Sequence, residues 1–172
     1  MNKKTIVSLT IILIGITGLV WWSKTVDTKG VSDTALKSHP ARIGSILVAD
    51  GLFYDFGKIS MKDGNVSKVF KVTNTGSVDA SVSSVYTSCM CTNAYILSAD
   101  GRKKGPFGMP GHGGAATRAN EIIKAGESLG IEVVYDPNAH GPAGVGMIDR
   151  FVYLEDKDGN KLQLEIKANV TP

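Results

Sequence analysis

From residue 45 onward the chain is written in short runs in which apolar and polar positions alternate, separated by turn residues. The last run is the clearest. Leu162, Leu164, Ile166, Ala168 and Val170 occupy one phase, and Lys161, Gln163, Glu165, Lys167 and Asn169 the other. Successive side chains of a strand point to opposite faces, so this run predicts a strand with one buried and one wet face. Asp156-Lys157-Asp158-Gly159-Asn160 supplies a hairpin turn before it, and Asp149 to Leu154 the partner strand. Upstream, Leu129, Ile131, Val133 and Tyr135 share one phase, which only Val134 interrupts. The run from Val66 to Val72 is less regular, because Lys68 falls in the phase of Val66, Phe70 and Val72. Val78, Ala80 and Val82 begin a further strand whose phase slips before Val85, which predicts a bulge. Ser45-Ile46-Leu47-Val48 begins the first strand. About seven strands at this turn spacing predict an all-β fold, an Ig-like seven-stranded antiparallel β-sandwich over residues 45–172.

The first 44 residues have a different pattern. Lys3 and Lys4 precede an uncharged run from Thr5 to Trp22, which closes on Trp21-Trp22 and is followed by Lys24. At helical rise the run covers about 27 Å, close to the roughly 30 Å hydrocarbon core of a bilayer. Residues 1–22 therefore predict one N-terminal transmembrane helix with a cytoplasmic N-terminus, acting as a membrane anchor. A cleaved signal segment competes with this reading, because Ser8, Thr10, Gly15, Thr17 and Gly18 thin the hydrophobicity; the length of the run and the lack of a small-x-small site count against it. Residues 23–44 are polar and mixed and read as a tether. The body is thus expected outside the cytoplasm, periplasmic or on the cell surface, held to the membrane by the helix. Without the first 22 residues the chain has 17 basic and 16 acidic side chains, so it offers no field for nucleic acid. There is no Gly-x-Ser-x-Gly elbow and no phosphate-binding Gly-Lys-Ser or Gly-Lys-Thr loop, which counts against hydrolase and nucleotide-binding readings.

Several short motifs follow in order: Tyr54-Asp55-Phe56-Gly57, Asn74-Thr75-Gly76, Ser88-Cys89-Met90-Cys91-Thr92, Ile123-Lys124-Ala125-Gly126-Glu127 and Val134-Tyr135-Asp136-Pro137. This series resembles a bacterial family of exported single Ig-like domains of unknown function, itself similar to the Hydin-type Ig-like domains of cilia and centrosomes. The resemblance covers roughly residues 53–170. It implies a seven-stranded sandwich, an exported location and no enzyme activity. The chain departs from the family pattern at Met90, where a small residue is usual, and at Ala125, where proline is usual. It also carries a glycine-rich insertion over residues 98–118, read as a loop.

The two cysteines of the chain carry its most specific chemistry. In an extended segment Cys89 and Cys91 point to the same face, so two thiolates can reach one ion while Met90 points away. The insertion that follows carries Met109-Pro110-Gly111-His112. Thiolate and thioether are soft ligands that favour Cu(I), and imidazole is compatible with it. Cys89, Cys91, His112 and Met109 are therefore the candidate metal ligands, with Cu(I) as the cofactor, for sensing, carriage or delivery to an exported protein partner.

Two other readings stay open. Outside the cytoplasm a thiol pair tends to be oxidised, and a Cys-x-Cys disulfide closes a very small ring, which makes it labile and suited to thiol–disulfide exchange. Against exchange, no lysine, arginine or histidine stands immediately beside the pair in sequence, and no helix N-terminus is evident there. Alternatively the cysteines are small buried apolar residues and the domain is a scaffold or interaction module. His140, between Ala139 and Gly141-Pro142, reads as a turn residue.

Overall fold

A computed structural model of the chain describes residues 46–112 and 117–172. The chain divides into two compact units, Met1–Lys37 and Ser38–Pro172, of which the first lies outside the described residues. The transmembrane helix expected over residues 1–22 and the tether over 23–44 also lie outside them. Among the described residues no helix is long and apolar enough to cross a membrane. The helical elements found there are two single-turn 3-10 segments, Met61–Asp63 and Gly141–Gly144.

The fold is all-β, but the expected seven-stranded Ig-like arrangement is corrected by the strands themselves. Among the described residues ten strands form two sheets: β1 (Leu47–Ala49), β2 (Phe53–Ser60), β3 (Val66–Asn74), β4 (Ala80–Thr87), β5 (Thr92–Leu97), β6 (Lys103–Phe107), β7 (Arg118–Ile123), β8 (Ser128–Tyr135), β9 (Gly146–Asp156) and β10 (Lys161–Thr171). One sheet has the order β1-β3-β8-β5-β6 and the other β2-β10-β9-β4-β7. All pairings are antiparallel except that of β2 with β10, which is parallel.

Of the strands not read from the sequence, β2, β6 and β7 lie at sheet edges, where few residues reach the core, whereas β5 is interior, between β8 and β6. β6 falls inside the segment read as a glycine-rich loop. Of its five residues only Phe107 is buried. Its lysines are matched by carboxylates from neighbouring strands, Lys103 Nζ lying 2.6 Å from Glu132 and Lys104 Nζ 3.2 Å from Glu121.

The central strands follow their apolar phase. Leu162, Leu164, Ile166, Ala168 and Val170 of β10 are all buried, as are Leu129, Ile131, Val133 and Tyr135 of β8. Residues of both sheets join in one apolar cluster, so the sheets pack face to face as a sandwich. The phase slip between Val82 and Val85 is a bulge, with β4 shifting register against both β7 and β9 between Val82 and Ser84. Lys68, out of place in the apolar phase of β3, is half-buried, and its ammonium lies 4.6 Å from the centroid of the Tyr54 ring.

Asn74-Thr75-Gly76 owes its composition to a buried polar knot. Asn74 is fully buried at the end of β3, and its amide donates to the carbonyls of Val78 and Ile123, each at 2.8 Å. Its side-chain oxygen accepts from the Gly76 N–H at 3.0 Å. A Cβ on Gly76 would stand 2.9 Å from Ile46 Cγ2, so the turn has no space for a side chain there. One amide thus ties the β3–β4 turn to the end of β7. Asn74→Ala would leave two carbonyls without these donors and is expected to cost about 1–3 kcal/mol, read from the midpoint of urea unfolding at unchanged slope. A change below about 0.5 kcal/mol, the range of ordinary surface substitutions, would show that the knot is not structural.

Candidate functional site

The cysteine segment is where the chain changes sheets: β4 ends at Thr87 in one sheet, and β5 begins at Thr92 in the other. The crossing takes only Ser88, Cys89, Met90 and Cys91, and each side is fixed. Ser88 donates its N–H to the Phe151 carbonyl at 2.9 Å, and its hydroxyl accepts from the Phe151 N–H at 2.9 Å, locking the segment to β9. Thr87 is buried, and its hydroxyl shares one proton between the carbonyls of Cys89, at 2.9 Å, and Thr92, at 3.0 Å. The Asp136 N–H donates to the Cys91 carbonyl at 2.9 Å, which ties the crossing to the end of β8. Thr87 thus serves the backbone, its buried hydroxyl pinning both ends of the turn, whereas the buried Thr92 hydroxyl lies 3.7 Å from Cys91 Sγ.

Within this frame Cys89 and Cys91 are joined as a disulfide, with their Cα atoms 5.3 Å apart. The expectation of a thiolate pair ready for an ion is thereby corrected, since sulfurs bonded to each other supply no thiolate. The two sulfurs differ in setting: Cys91 is 1% exposed and belongs to the apolar cluster, whereas Cys89 is only partly buried and packs against its edge. Met90 between them is exposed.

Two cationic or protonatable side chains flank the bond. His140 Nε2 lies 3.3 Å from Cys89 Sγ, and Arg150 Nε donates to Cys91 Sγ at 3.2 Å. His140 is indeed at a turn, immediately before the 3-10 segment Gly141–Gly144. That turn, however, is the β8–β9 connection, which also changes sheets and meets the cysteine crossing at the same rim. Cys89, Cys91 and His140 each offer a ligand atom, all within 4.8 Å of one another.

Arg150 stands on β9 in the phase of Ile148, Val152 and Leu154, which are buried. A charged group in a core phase requires a partner, and this was the available signal for it in the sequence. Among the described residues no carboxylate pairs with its guanidinium; the adjacent Asp149 pairs with Lys167 at 3.5 Å. Arg150 also faces Tyr135. Burial pushes the Tyr135 phenol above its ordinary value, the charge of Arg150 opposing and that of Asp136 reinforcing the shift.

The other two expected ligands sit on the segment after β6. Its start reaches the rim, where the Thr87 N–H donates to the Gly108 carbonyl at 3.2 Å. Met109 is half-buried, and its carbonyl accepts from the N–H of the exposed His112 at 3.2 Å, forming a turn. His140, rather than His112, is the imidazole grouped with the cysteines.

Residues 48–101 match the model of a family described as a protein of unknown function (DUF1573). No curated protein matches the chain. Among solved structures, the chain is similar to a protein of unknown function from Porphyromonas gingivalis W83, at 16% identity and a TM-score of 0.51 over 72% of this chain and 46% of that one. It is also aligned with the VesB protease of Vibrio cholerae, at 16% identity and a TM-score of 0.44 over 73% and 32%. The chain spans less than half the length of either protein. At this identity the Porphyromonas likeness concerns the fold alone.

Thr87→Val, which removes the bridging hydroxyl while keeping a β-branched side chain, is expected to cost about 1–3 kcal/mol in urea unfolding. Stability equal to that of the parent would show that the turn is held without it.

Proposed function

We propose that the domain is a thiol–disulfide exchange module, with Cys89–Cys91 as its redox bond, working on an exported protein partner outside the cytoplasm. The observation that carries this reading is the pair of flanking groups, His140 at 3.3 Å from one sulfur and Arg150 at 3.2 Å from the other. A disulfide sulfur is neutral and a weak acceptor, so a guanidinium without a carboxylate partner is poorly matched to it. The same guanidinium is well matched to a thiolate, the species that appears when the bond opens. Bridging residues only two apart in sequence closes a very small ring, which favours a reducible bond over a permanent staple. An oxidising compartment is where such a pair is found as a disulfide.

A second reading rests on the three ligand atoms within 4.8 Å. Once reduced, Cys89 and Cys91 with His140 form a soft thiolate and imidazole set suited to Cu(I), with Met109 and His112 on the adjoining loop as outer candidates. Copper and the disulfide then exclude each other, and the metal belongs to the reduced state alone.

Dithiothreitol added to the full-length oxidised chain without denaturant is the direct test. Under exchange, the bond opens while the domain stays folded, and N-ethylmaleimide then labels both cysteines. A bond that resists the dithiol until the chain is unfolded would overturn the reading. The reduced chain, titrated with Cu(I) against bathocuproine disulfonate, reports on the second reading. One ion retained by the parent and lost in the Cys89→Ser, Cys91→Ser double variant supports it; equal weak binding in both removes it.

A further inference from the structure

We infer that the disulfide opens with a fixed polarity: an incoming thiolate bonds to Cys89, and Cys91 departs as a thiolate held by Arg150. The inference rests on the exchange reading and adds to it the roles of the two sulfurs and of their two neighbours.

Access decides which sulfur is attacked. The attacking sulfur must approach along the extension of the bond being broken, so it has to reach one sulfur from the side away from the other. Cys91 is 1% exposed within the apolar cluster, whereas Cys89 is partly open at the rim, beside the exposed Met90. Charge decides which sulfur leaves. A departing sulfur takes the electron pair of the broken bond, and a lower-pKa thiol leaves faster. Only Cys91 has a guanidinium donor, Arg150 Nε at 3.2 Å, and that guanidinium is also held by its Nη1, which donates to the Asp149 carbonyl at 2.8 Å. Both criteria select the same direction.

The steps balance as follows. The partner thiolate forms a bond to Cys89 Sγ, the Cys89–Cys91 bond breaks, and its electron pair passes to Cys91 Sγ, with no net proton transferred. A second thiolate on the same partner then attacks the partner's own sulfur in this mixed disulfide and releases Cys89. His140 Nε2, 3.3 Å away, is placed to deliver a proton to it. The chain gains two electrons and the partner, a dithiol, loses them and closes its own disulfide. Arg150 acts as a positioning residue, stabilising the sulfur that leaves. Tyr135, the last residue of β8, and Asp136 after it are ionisable groups near Arg150 and Cys91.

Reduced glutathione serves as the probe, because a monothiol stops at the mixed disulfide. The full-length oxidised chain is treated with it, released thiols are capped at once with N-ethylmaleimide, and the peptides are mapped by mass spectrometry. Glutathione on Cys89 with maleimide on Cys91 is expected in about tenfold or greater excess over the reverse, the span given by access and leaving-group strength. An even distribution, or glutathione mainly on Cys91, overturns the polarity while leaving exchange intact. A folded chain that gives no adduct at all removes the exchange reading itself. Arg150→Gln should slow opening by about three- to tenfold, and Arg150→Lys should recover part of the loss. Equal rates and an unchanged distribution in both variants would remove Arg150 from the mechanism. Should Arg150→Gln fail to fold, the distribution in the parent chain still decides the polarity.

Discussion

The chain passes from one sheet to the other within four residues, Ser88 to Cys91, and this crossing governs what the rest of the domain presents at that rim. One backbone bond closes the turn locally, the Thr92 N–H donating to the Cys89 carbonyl at 3.2 Å, and the other groups need partners from outside. The buried hydroxyl of Thr87, the paired bonds of Ser88 to Phe151 and the Asp136 N–H supply those partners from three directions. The result is a turn fixed from both sheets, with one cysteine in the core and the other at its edge. Chemistry placed on so constrained a turn inherits its geometry from secondary structure rather than from a flexible loop.

The other end of β3 shows the same principle with different chemistry. There a buried amide, Asn74, holds the β3–β4 turn against β7, and a glycine follows because Ile46 occupies the space of a side chain. The motifs of this chain are thus of two kinds. Asn74-Thr75-Gly76 is explained entirely by the backbone groups that it satisfies. Ser88-Cys89-Met90-Cys91-Thr92 begins with a hydroxyl that serves the backbone, and its sulfurs are not explained in that way.

Much of the sandwich was legible because its central strands bury one face and wet the other. Leu162 to Val170 and Leu129 to Tyr135 give their orientation directly, and the slipped phase at Ser83 gave the bulge. Strands β2, β6 and β7 were harder to read, being edge strands in which packing leaves little periodicity; Phe107 alone anchors β6 to the core. The cysteines were visible as the chemical centre, but their company was not. His140 meets Cys89 across 51 positions and Arg150 meets Cys91 across 59, and proximity of that kind comes from the sheet order, not from local spacing. Only Arg150 left a trace, as a charge in the apolar phase of β9. His112, nearer in sequence, had seemed the more natural third member.

The parallel pairing of β2 with β10 has a mechanical meaning. Phe53 at the start of β2 lies opposite Glu165, and Ser60 at its end opposite Thr171, so the two strands run side by side in the same direction. Tension entering β2 at Phe53 and leaving β10 at Thr171 pulls the strands along their length in opposite senses. It loads the hydrogen bonds of the ladder together, in shear, rather than opening them one at a time as it would at the end of a hairpin. A sandwich clasped in this way yields to such a pull only when several bonds fail at once.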